Sequence, residues 1–510
     1  MSRAFPRRTL QLLISLITLK RGALPSATAF ELHLPAIFSD SGSSPALGKG
    51  TELPLATKLN ALTPECSVFL ARPMWTKVNT SLYVSEKLGS LWDALELVDI
   101  REAEMERECR QAFTIGTLGL WEALDSAYLD AVGPERQGGL NKKISLVDQH
   151  RKPPRGSVMM ALAKAQWQRF VASTPPYPTA LFTGRGIVMC AGGVKYMVPA
   201  LANIFVLRTI GCRLPVELWS LAGEQPTPKL RDALSLLGVT VRNYEEIYPG
   251  GSQSVFSGYA MKIMALLFSS FKEVLFLDAD SMPIRDPTYL FSIPQYKQTG
   301  AVFWPDFWNA PDIRDLWELL GLDAPGARRP VGTHESGQML VHKERGWRGV
   351  LLALFMNMEK DLYYPLIGGT GEGDKETYAM AYCALNLSYW KVAKPLGTAG
   401  WGKGSYFHGH TMAQHSPGQL DPLSPVSQRP VERWPSGGRG HKGDVVGDRR
   451  ICQDTGELLF LHKNLMKWER PPPELCRSWV YLRTPVSDEM RWEDIIRVNP
   501  PMLTLISLST

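Results

Sequence analysis

Short apolar runs alternate with helix-like segments between residues 184 and 278, and this alternation constrains the fold more than any other feature of the chain. Strands that alternate with helices form βαβ units, which are typical of a mainly parallel sheet. The fourth run is apolar at almost every position, which favours a strand buried on both faces. The sequence therefore predicts an α/β domain with a mainly parallel sheet and flanking helices. The predicted strands lie in "GIVMCAGG", "PVELWSLA", "VTVRNYE" and "EVLFLDAD".

Two carboxylates one residue apart, Asp278 and Asp280, close the fourth apolar run. Burying a carboxylate without a partner is costly, so this position requires a compensating cation. In open α/β sheets, ligands bind beyond the carboxyl ends of the strands, where these two side chains are expected. Carboxylate oxygens suit Mn²⁺ or Mg²⁺, and such an ion bridges the phosphates of a nucleotide.

Two other interpretations of this D-x-D motif stay open. Asp278 could be the nucleophile of a haloacid-dehalogenase-type phosphatase, or the motif could be a strand end that carries two solvated acids. Such phosphatases usually place Gly or Thr after the second Asp, near the start of their domain. Here Ser281 follows, and several predicted strands precede the motif, which favours the metal interpretation.

Two glycines, Gly192 and Gly193, follow the first predicted strand. Glycine allows the backbone to approach a ligand closely, so the pair predicts a donor-binding position. An ordinary tight turn explains the same residues equally well. The two glycines are not part of a G-x-G-x-x-G fingerprint, and the chain contains no Walker motif.

The N-terminus, residues 1–29, has the pattern of a targeting segment. Early arginines precede an apolar run from Leu10 to Leu19, and Ala27 and Ala29 fit a small-residue cleavage site. The run is shorter than the roughly 20 residues of a membrane span. We expect a signal peptide or a short signal-anchor, with a buried helix as the alternative.

Composition divides the rest of the chain into five predicted segments. Ser, Pro and Gly without periodicity indicate linkers, and long stretches without Gly or Pro indicate helices. The segments are a stem at 30–83, a helical N-terminal region at 84–180, the α/β domain at 181–415, a disordered insertion at 416–450, and the C-terminal part of the domain at 451–510.

Charge and cysteine content narrow the function classes. The formal net charge of +6 over 510 residues comes without a long Lys/Arg block, so no nucleic-acid partner is predicted. None of the seven cysteines forms a C-x-x-C pair. In an oxidising compartment one or two disulfides are expected, although the pairing stays open. Asn79 and Asn386 begin sequons for glycosylation.

Seven segments, in this order, give the chain a resemblance to the fungal-type α-mannosyltransferase family that builds α-1,2 and α-1,3 mannose branches on Golgi glycans. The match is specific as a set, whereas each segment alone is not. The segments are "GRGIVMCAGGVKY" (184–196), "RTIGCRLPVELWSL" (208–221), "SGYAMKIMALLFSSFKEVLFLDADSMPIRDPTYLF" (257–291), "TGAVFWPDFW" (299–308), "HESGQMLVHKERGWRGVLLALFMN" (334–357), "GDKETY" (373–378) and "FLHKNLMKW" (460–468).

The resemblance implies a GT-A fold, a nucleotide-activated sugar donor, typically GDP-mannose, and Mn²⁺ as cofactor. It also implies a glycan acceptor, transfer with retention, and a type II location in the Golgi lumen with N-terminal membrane association. A non-catalytic glycan-binding relative is the alternative to an enzyme, and the intact D-x-D argues against it.

The resemblance also implies a metal site. Asp280 is expected to bind the ion, Asp278 to bind it or the donor's ribose, and His462 to be the third ligand. A histidine on a helix surface is the alternative for His462. Three other histidines are alternative candidates for the third metal ligand, and they lie at the end of the predicted α/β domain: His408, His410 and His415.

Basic residues are expected at the diphosphate by the same resemblance. Lys463 or Lys467 would stabilise the leaving group, and Lys262 would contact the nucleotide. Each of the three is otherwise an ordinary surface lysine.

Retention requires a group beneath the anomeric carbon, and Glu335 and Gln338 are the candidates. An amide is a poor nucleophile, so Gln338 would support only same-face attack by the acceptor. Asp374 is expected at the sugar hydroxyls or the developing cation. Trp304 and Asp306 in "WPDFW" either contact a sugar or belong to a buried aromatic cluster.

Overall fold

The structure is a computed structural model that describes most of the α/β domain and parts of the flanking segments. The described residues are 55–59, 61–63, 66, 100–132, 158–247, 258–306, 314–330, 332–367, 373–394, 396–403, 406–417, 458–463, 480–483 and 490–491. The predicted N-terminal signal, most of the predicted stem and nearly all of the predicted insertion at 416–450 lie outside these ranges.

The described helices occur both before and within the α/β domain. They are α1 (Leu55–Leu59), α2 (Ile100–Val132), α3 (Val158–Ser173), α4 (Gly193–Thr209), α5 (Pro228–Leu236), α6 (Ala260–Phe268), α7 (Pro294–Thr299), α8 (Arg314–Leu320), α9 (Lys343–Met358), α10 (Lys360–Ile367) and α11 (Lys375–Ala384).

The described strands form two sheets. They are β1 (Thr183–Cys190), β2 (Val216–Ser220), β3 (Val239–Asn243), β4 (Phe271–Asp278), β5 (Ser281–Pro283), β6 (Ala301–Pro305), β7 (His334–His342), β8 (Trp390–Lys391), β9 (Gly397–Lys403), β10 (Tyr406–His415), β11 (Leu458–His462), β12 (Val480–Arg483) and β13 (Met490–Arg491).

The first sheet has seven strands in the order β3-β2-β1-β4-β7-β6-β8. Its pairs β1–β2, β1–β4, β2–β3 and β6–β8 are parallel, whereas β7 runs antiparallel to both β4 and β6. The helices α4, α5 and α6 connect the parallel strands in the predicted order. The prediction of an α/β domain with a mainly parallel sheet is therefore confirmed.

The central strand β4 is buried on both faces of this sheet. Val274 and Phe276 pack into the apolar cluster that includes α6 and α9. Leu275 and Leu277 pack into the opposite cluster, which includes α4. An all-apolar strand avoids water only between two layers of helices, which explains the uninterrupted apolar run that ends at Asp278.

The second sheet has six strands in the order β13-β12-β9-β10-β11-β5. Its strand β5 begins three residues after β4 ends, so this short strand links the two sheets directly behind the D-x-D motif. Antiparallel pairing of β5 with β11 sets His462 opposite Ser281. The chain thereby returns to the D-x-D from beyond the predicted insertion.

The two long N-terminal helices share the core of the α/β domain. Phe170 of α3 lies 4.9 Å, ring centre to ring centre, from Phe355 of α9. Trp121 of α2 lies 6.1 Å from Phe268 of α6. These rings belong to one continuous apolar cluster, so α2 and α3 cover the outer surface of the domain's helices.

One disulfide joins Cys66 to Cys109, and Cys190, Cys212 and Cys383 are free thiols. Cys452 and Cys476 lie outside the described residues. In the part of the chain that the structure describes, no helix has the length and apolar content needed to span a bilayer.

Candidate metal and donor site

The D-x-D motif forms the turn between the two sheets. Asp278 is the last residue of β4 and pairs in register with Cys190, the last residue of the neighbouring strand β1. Asp280 is buried, with 4% of its surface exposed. The two carboxylates therefore lie at the carboxyl edge of the parallel strands, as the sequence predicted.

The second sheet brings His462 to this turn. His462 ends β11 opposite Ser281, and the backbone N–H of Lys463 donates a 3.0 Å hydrogen bond to the carbonyl of Asp280. Its Nε2 consequently lies 3.3 Å from Oδ1 of Asp280 and 3.8 Å from Oδ2 of Asp278. The histidine is on a strand, so the alternative of a helix-surface residue is wrong.

The strand β7 supplies the next side of the site. Because β7 is antiparallel to β4 and pairs Gln338 with Leu277, the residues before Gln338 run past the end of β4. Glu335 Oε1 accepts backbone hydrogen bonds of 2.9 Å from Ser336 and Gly337 and lies 3.7 Å from Nδ1 of His462. The backbone of β7 thus fixes one carboxylate oxygen beside the imidazole.

Lys262 of α6 places a cation among these acids. Its Nζ donates to Oδ2 of Asp278 at 2.7 Å and to Oγ of Ser336 at 3.1 Å. Oδ1 of Asp374, just before α11, lies 3.9 Å from the same Nζ. Lys262 is therefore paired with the D-x-D carboxylate, and it is neither a free surface lysine nor aimed away from the site.

Burial and charge oppose each other in the pKa values of these groups. Burial raises the pKa of Asp278, and the proximity of Lys262 offsets only part of that rise. Burial likewise raises the pKa of Asp374. For Lys262, burial alone would lower the pKa, but Asp278, Asp374 and Glu335 outweigh it and raise the pKa. Several buried acids thus share the positive charge of Lys262.

The same reasoning applies to His462. Burial would lower its pKa, but the hydrogen bond to Asp280 and the charge of Glu335 raise it. The structure thus favours a positive charge between the imidazole and the D-x-D. A divalent cation supplies such a charge without requiring a proton on the ring.

The donor atoms fit a divalent ion. One ligand atom each from Asp278, Asp280 and His462 lie within 4.8 Å of one another, and these residues form the one such cluster within the described ranges. Two carboxylate oxygens and an imidazole nitrogen suit Mn²⁺ or a similar cation. The buried Nδ1 of His462 has no hydrogen-bond partner. The cluster could therefore hold a metal ion, which agrees with the predicted ligand set.

Gln338 also faces the turn and is fully buried. Its Oε1 accepts a 3.0 Å hydrogen bond from Oγ of Ser281, whereas Nε2 has no hydrogen-bond partner. Gln338, Glu335 and Asp374 thus surround the predicted metal cluster. Their predicted roles in catalysis stay predictions.

Trp304 and Asp306 occupy the interior. Trp304 is 0% exposed, and its indole N–H donates to the backbone carbonyl of His415 at 2.7 Å. The Oδ2 atom of Asp306 forms an ion pair with Lys375. Of the two interpretations of "WPDFW", the packing of Trp304 agrees with the buried aromatic cluster, since the ring offers no free face to a sugar.

The two glycines after β1 lie in different structural settings. Gly192 caps α4, and a Cβ there would lie 2.0 Å from Oε2 of Glu224. Gly193 has φ +60°, a conformation that side chains rarely adopt. The Glu224 side chain is exposed and occupies the space beside Gly192, and the predicted donor contact of both glycines stays a prediction.

The side chains of the other predicted basic residues and histidines are not shown to contact the D-x-D motif. Lys463 contacts the motif through its backbone N–H. His415 ends β10 and is buried, away from the cluster of Asp278, Asp280 and His462. Lys467 and the side chains of His408 and His410 lie outside the described residues.

The sequence analysis did not predict two features near the site. A Cβ at Gly337 would lie 2.4 Å from Cε1 of His462, so this glycine leaves room for the imidazole. His334 Nδ1 lies 3.2 Å from Oε2 of Glu376, while the Glu376 Oε1 atom accepts the N–H of His334 at 2.8 Å. The glycine inside "HESGQ" indicates a close approach at position 337. No local pattern in the sequence indicates the pairing of His334 with Glu376.

Fold and site together define an α/β protein with an acidic, metal-type ligand site at the carboxyl edge of its central sheet. Residues 184–321 and 327–421 match the protein family described as "Mannosyltransferase putative". The resemblance predicted from the motifs is thereby confirmed.

Curated relatives agree with that match. The chain is 31% identical over 342 residues to the α-1,2-mannosyltransferase MNN21 of Candida albicans, covering 57% of this chain and 51% of the relative. It is 31% identical over 278 residues to the α-1,2-mannosyltransferase MNN2 of Saccharomyces cerevisiae, covering 47% of this chain and 46% of the relative. The chain thus spans about half the length of the curated relatives it matches.

Among solved structures, the glycosyltransferase GlyE of Streptococcus pneumoniae TIGR4 is similar with a TM-score of 0.28 and 20% identity. The alignment covers 41% of this chain and 45% of that protein. A likeness this distant adds no argument, so the fold assignment rests on the strand order and pairing described above.

Proposed function

We propose that the chain is a metal-dependent GT-A-type glycosyltransferase that transfers mannose from a nucleotide donor, typically GDP-mannose, to a mannose-containing glycan. One observation carries the proposal. In a chain similar to α-1,2-mannosyltransferases, Asp278, Asp280 and His462 converge from two sheets on one point at the carboxyl edge of the parallel strands. The relatives reported above are α-1,2-mannosyltransferases, which favours this function over the phosphatase and glycan-binding alternatives.

Asp278, Asp280 and His462 would hold the ion; their donor atoms can bind Mn²⁺, which is the ion that the family resemblance implies. When bound, the ion supplies positive charge to the donor's diphosphate. Lys262 donates to Oδ2 of Asp278 at 2.7 Å, and its charge offsets part of the rise that burial causes in the pKa of that carboxylate. Its charge also balances Asp374, so two buried acids share one buried cation.

The chain's own groups near the sugar are Glu335, Gln338 and Asp374. Both an α-linked donor and an α-linked product would mean transfer with retention. In the same-face route, Gln338 needs only to hold the sugar, and its unpartnered Nε2 is available to donate to an oxygen. In a covalent route, Glu335 would attack the anomeric carbon through Oε2 and displace the nucleoside diphosphate, since Oε1 accepts the backbone N–H groups of Ser336 and Gly337.

The compartment is part of the proposal. The Cys66–Cys109 disulfide supports an oxidising environment, as in the secretory pathway. Asn386 of the sequon is exposed, which allows glycosylation there. A Golgi location with an N-terminal anchor would follow from the family resemblance.

The test is transfer from a panel of nucleotide sugars to mannose oligosaccharides in the presence of Mn²⁺. We expect the Asp280→Asn variant to lose at least about 100-fold in rate, because a metal site supplies several kcal/mol to such a reaction. The matched control is Asp232→Asn, an exposed carboxylate on α5. Equal rates for Asp280→Asn and wild type would refute the metal assignment.

The stereochemistry is tested on the product. The anomeric NMR signals of the first-formed linkage report whether the α configuration of the donor is retained. Release of free phosphate without an acceptor, together with an aspartyl-phosphate at Asp278, would select the phosphatase instead.

A further inference from the structure

A buried amide lies directly behind the D-x-D turn. Asn203 is on α4, is 1% exposed, and is the one polar residue in the segment "VPALANIFVL". Its neighbours on the helix, Ala200, Ile204 and Leu207, pack into the apolar cluster beneath the sheet. A polar side chain at such a position is costly unless it makes hydrogen bonds.

Asn203 makes such bonds to the backbone of the motif through its Nδ2 atom, whereas its buried Oδ1 atom has no hydrogen-bond partner. Its Nδ2 lies 2.9 Å from the carbonyl of Ala279, 3.1 Å from that of Ser281 and 3.3 Å from that of Asp278. Two N–H groups thus serve three carbonyls, so one bond is shared. The orientation of the amide is unambiguous, because the opposite one would point the Oδ1 atom at three carbonyl oxygens.

These carbonyls have few other ways to be satisfied. Ala279 lies between the end of β4 and the start of β5, outside the pairing of either strand, and it is buried. A buried carbonyl without a partner costs about as much as a lost hydrogen bond. On its other side, the turn is held by the bond from the Lys463 N–H to the carbonyl of Asp280. The turn is therefore fixed from α4 and from β11.

We infer that Asn203 is a positioning residue for the metal site, which fixes the backbone of the D-x-D turn so that Asp278 and Asp280 meet His462. The inference rests on the proposed metal function. Asn203 touches no ligand atom itself and acts through the three carbonyls. Partners behind metal ligands typically change metal affinity by roughly 10- to 100-fold when they are removed.

The same helix offers a matched control. Arg208 also donates from α4 to three backbone carbonyls, those of Leu237, Cys212 and Leu214, at 2.8 to 3.0 Å. None of these carbonyls belongs to the D-x-D turn. Arg208→Met therefore removes a comparable set of side-chain-to-backbone bonds from α4 without touching the motif.

The experiment measures Mn²⁺ binding by isothermal titration and by the EPR signal of the free ion, in the absence of any sugar donor. The variants are Asn203→Leu, which keeps the size and removes the donors, and Arg208→Met. Thermal melting of each variant ensures that binding is compared on folded protein. We expect Asn203→Leu to bind Mn²⁺ at least about 10-fold more weakly and Arg208→Met to bind within about 2-fold of wild type.

Three outcomes would overturn the inference. Unchanged binding by Asn203→Leu removes the positioning role alone, and the metal site stands. Equal losses in both variants would mean that general loosening of α4 is responsible. Absence of binding by the wild type would refute the metal site itself, and the positioning role with it.

A smaller change covers the case in which Asn203→Leu does not fold. Asn203→Ser keeps one donor and shortens the side chain, so it loses part of the hydrogen bonding to the turn. We expect its Mn²⁺ affinity to fall between those of wild type and Asn203→Leu, or at least about 3-fold below wild type if the leucine variant is insoluble. A serine variant with wild-type affinity would contradict the inference.

Discussion

Gly337 leaves the space that the His462 imidazole occupies. A Cβ at this position would lie 2.4 Å from Cε1 and 2.5 Å from Nδ1 of the ring, and real Cβ contacts are never this short. Because the backbone of β7 is held in the sheet between β4 and β6, the ring is the part that must move.

The Gly337→Ala variant should therefore displace His462 and weaken Mn²⁺ binding by about 10-fold or more. Isothermal titration with Mn²⁺ measures the change. Gly223→Ala is the control, since a Cβ there meets nothing within 4 Å. Wild-type affinity in Gly337→Ala would mean that the imidazole is not a ligand.

At the scale of elements, one buried histidine contributes to the contact between β7 and α11. His334 begins β7 and bonds Glu376 of α11, while its Nε2 lies 3.2 Å from the hydroxyl of Tyr389. Burial, with a smaller effect from the charge of Lys391, lowers the pKa of His334 to about 4. The folded protein therefore holds this ring neutral at pH values where the unfolded chain is protonated.

The sign of the pH effect follows from this difference. Between the unfolded pKa of about 6.5 and the folded pKa of about 4, the unfolded state binds more protons, so stability falls as the pH falls. From pH 7 to pH 5, His334 should cost about 2 kcal/mol of unfolding free energy.

Urea unfolding of wild type and His334→Gln at the two pH values measures the contribution of His334 to the pH dependence of the unfolding free energy. We expect the wild type to lose more stability than the variant, by about 2 kcal/mol, on acidification. Equal losses would show that the ring is protonated in the folded protein. Comparing the differences between the two proteins cancels the titration of other groups.

At the scale of the whole molecule, α2 and α3 are part of the same core as the central sheet. Phe170 packs on Phe355 of α9, which in turn packs beneath β4. The hydroxyl of Tyr128 on α2 also donates to Glu359 at the end of α9. The predicted helical N-terminal region therefore stabilises the domain that holds the site.

Phe170→Ala should lower the unfolding free energy by about 3–5 kcal/mol, as for a large buried aromatic residue. Leu162→Ala on the same helix is the control, since Leu162 is 47% exposed. We expect loss of helicity and loss of Mn²⁺ binding to coincide along the urea axis in both variants. Separate transitions would mean that the N-terminal helices unfold as an independent unit.

Local patterns in the sequence were sufficient to predict the helices and strands of the α/β domain. They were also sufficient to predict that the D-x-D motif ends a buried strand. The apolar run to Asp278 predicts a strand buried on both faces, and the structure places Asp278 at the last position of β4. Such predictions succeed because strand and helix periodicity depends on neighbouring residues alone. The order of the seven motifs was likewise sufficient to identify the family resemblance.

Only the tertiary structure decided which distant residues meet. The sequence proposed His462 through the resemblance, but its place beside Asp280 depends on the pairing of β5 with β11 across the predicted insertion. The same holds for the ion pair of Lys262 with Asp278 and for the burial of Trp304. Contacts between elements arise from register and from the burial of shared surfaces, and neither quantity is written in any local stretch of residues.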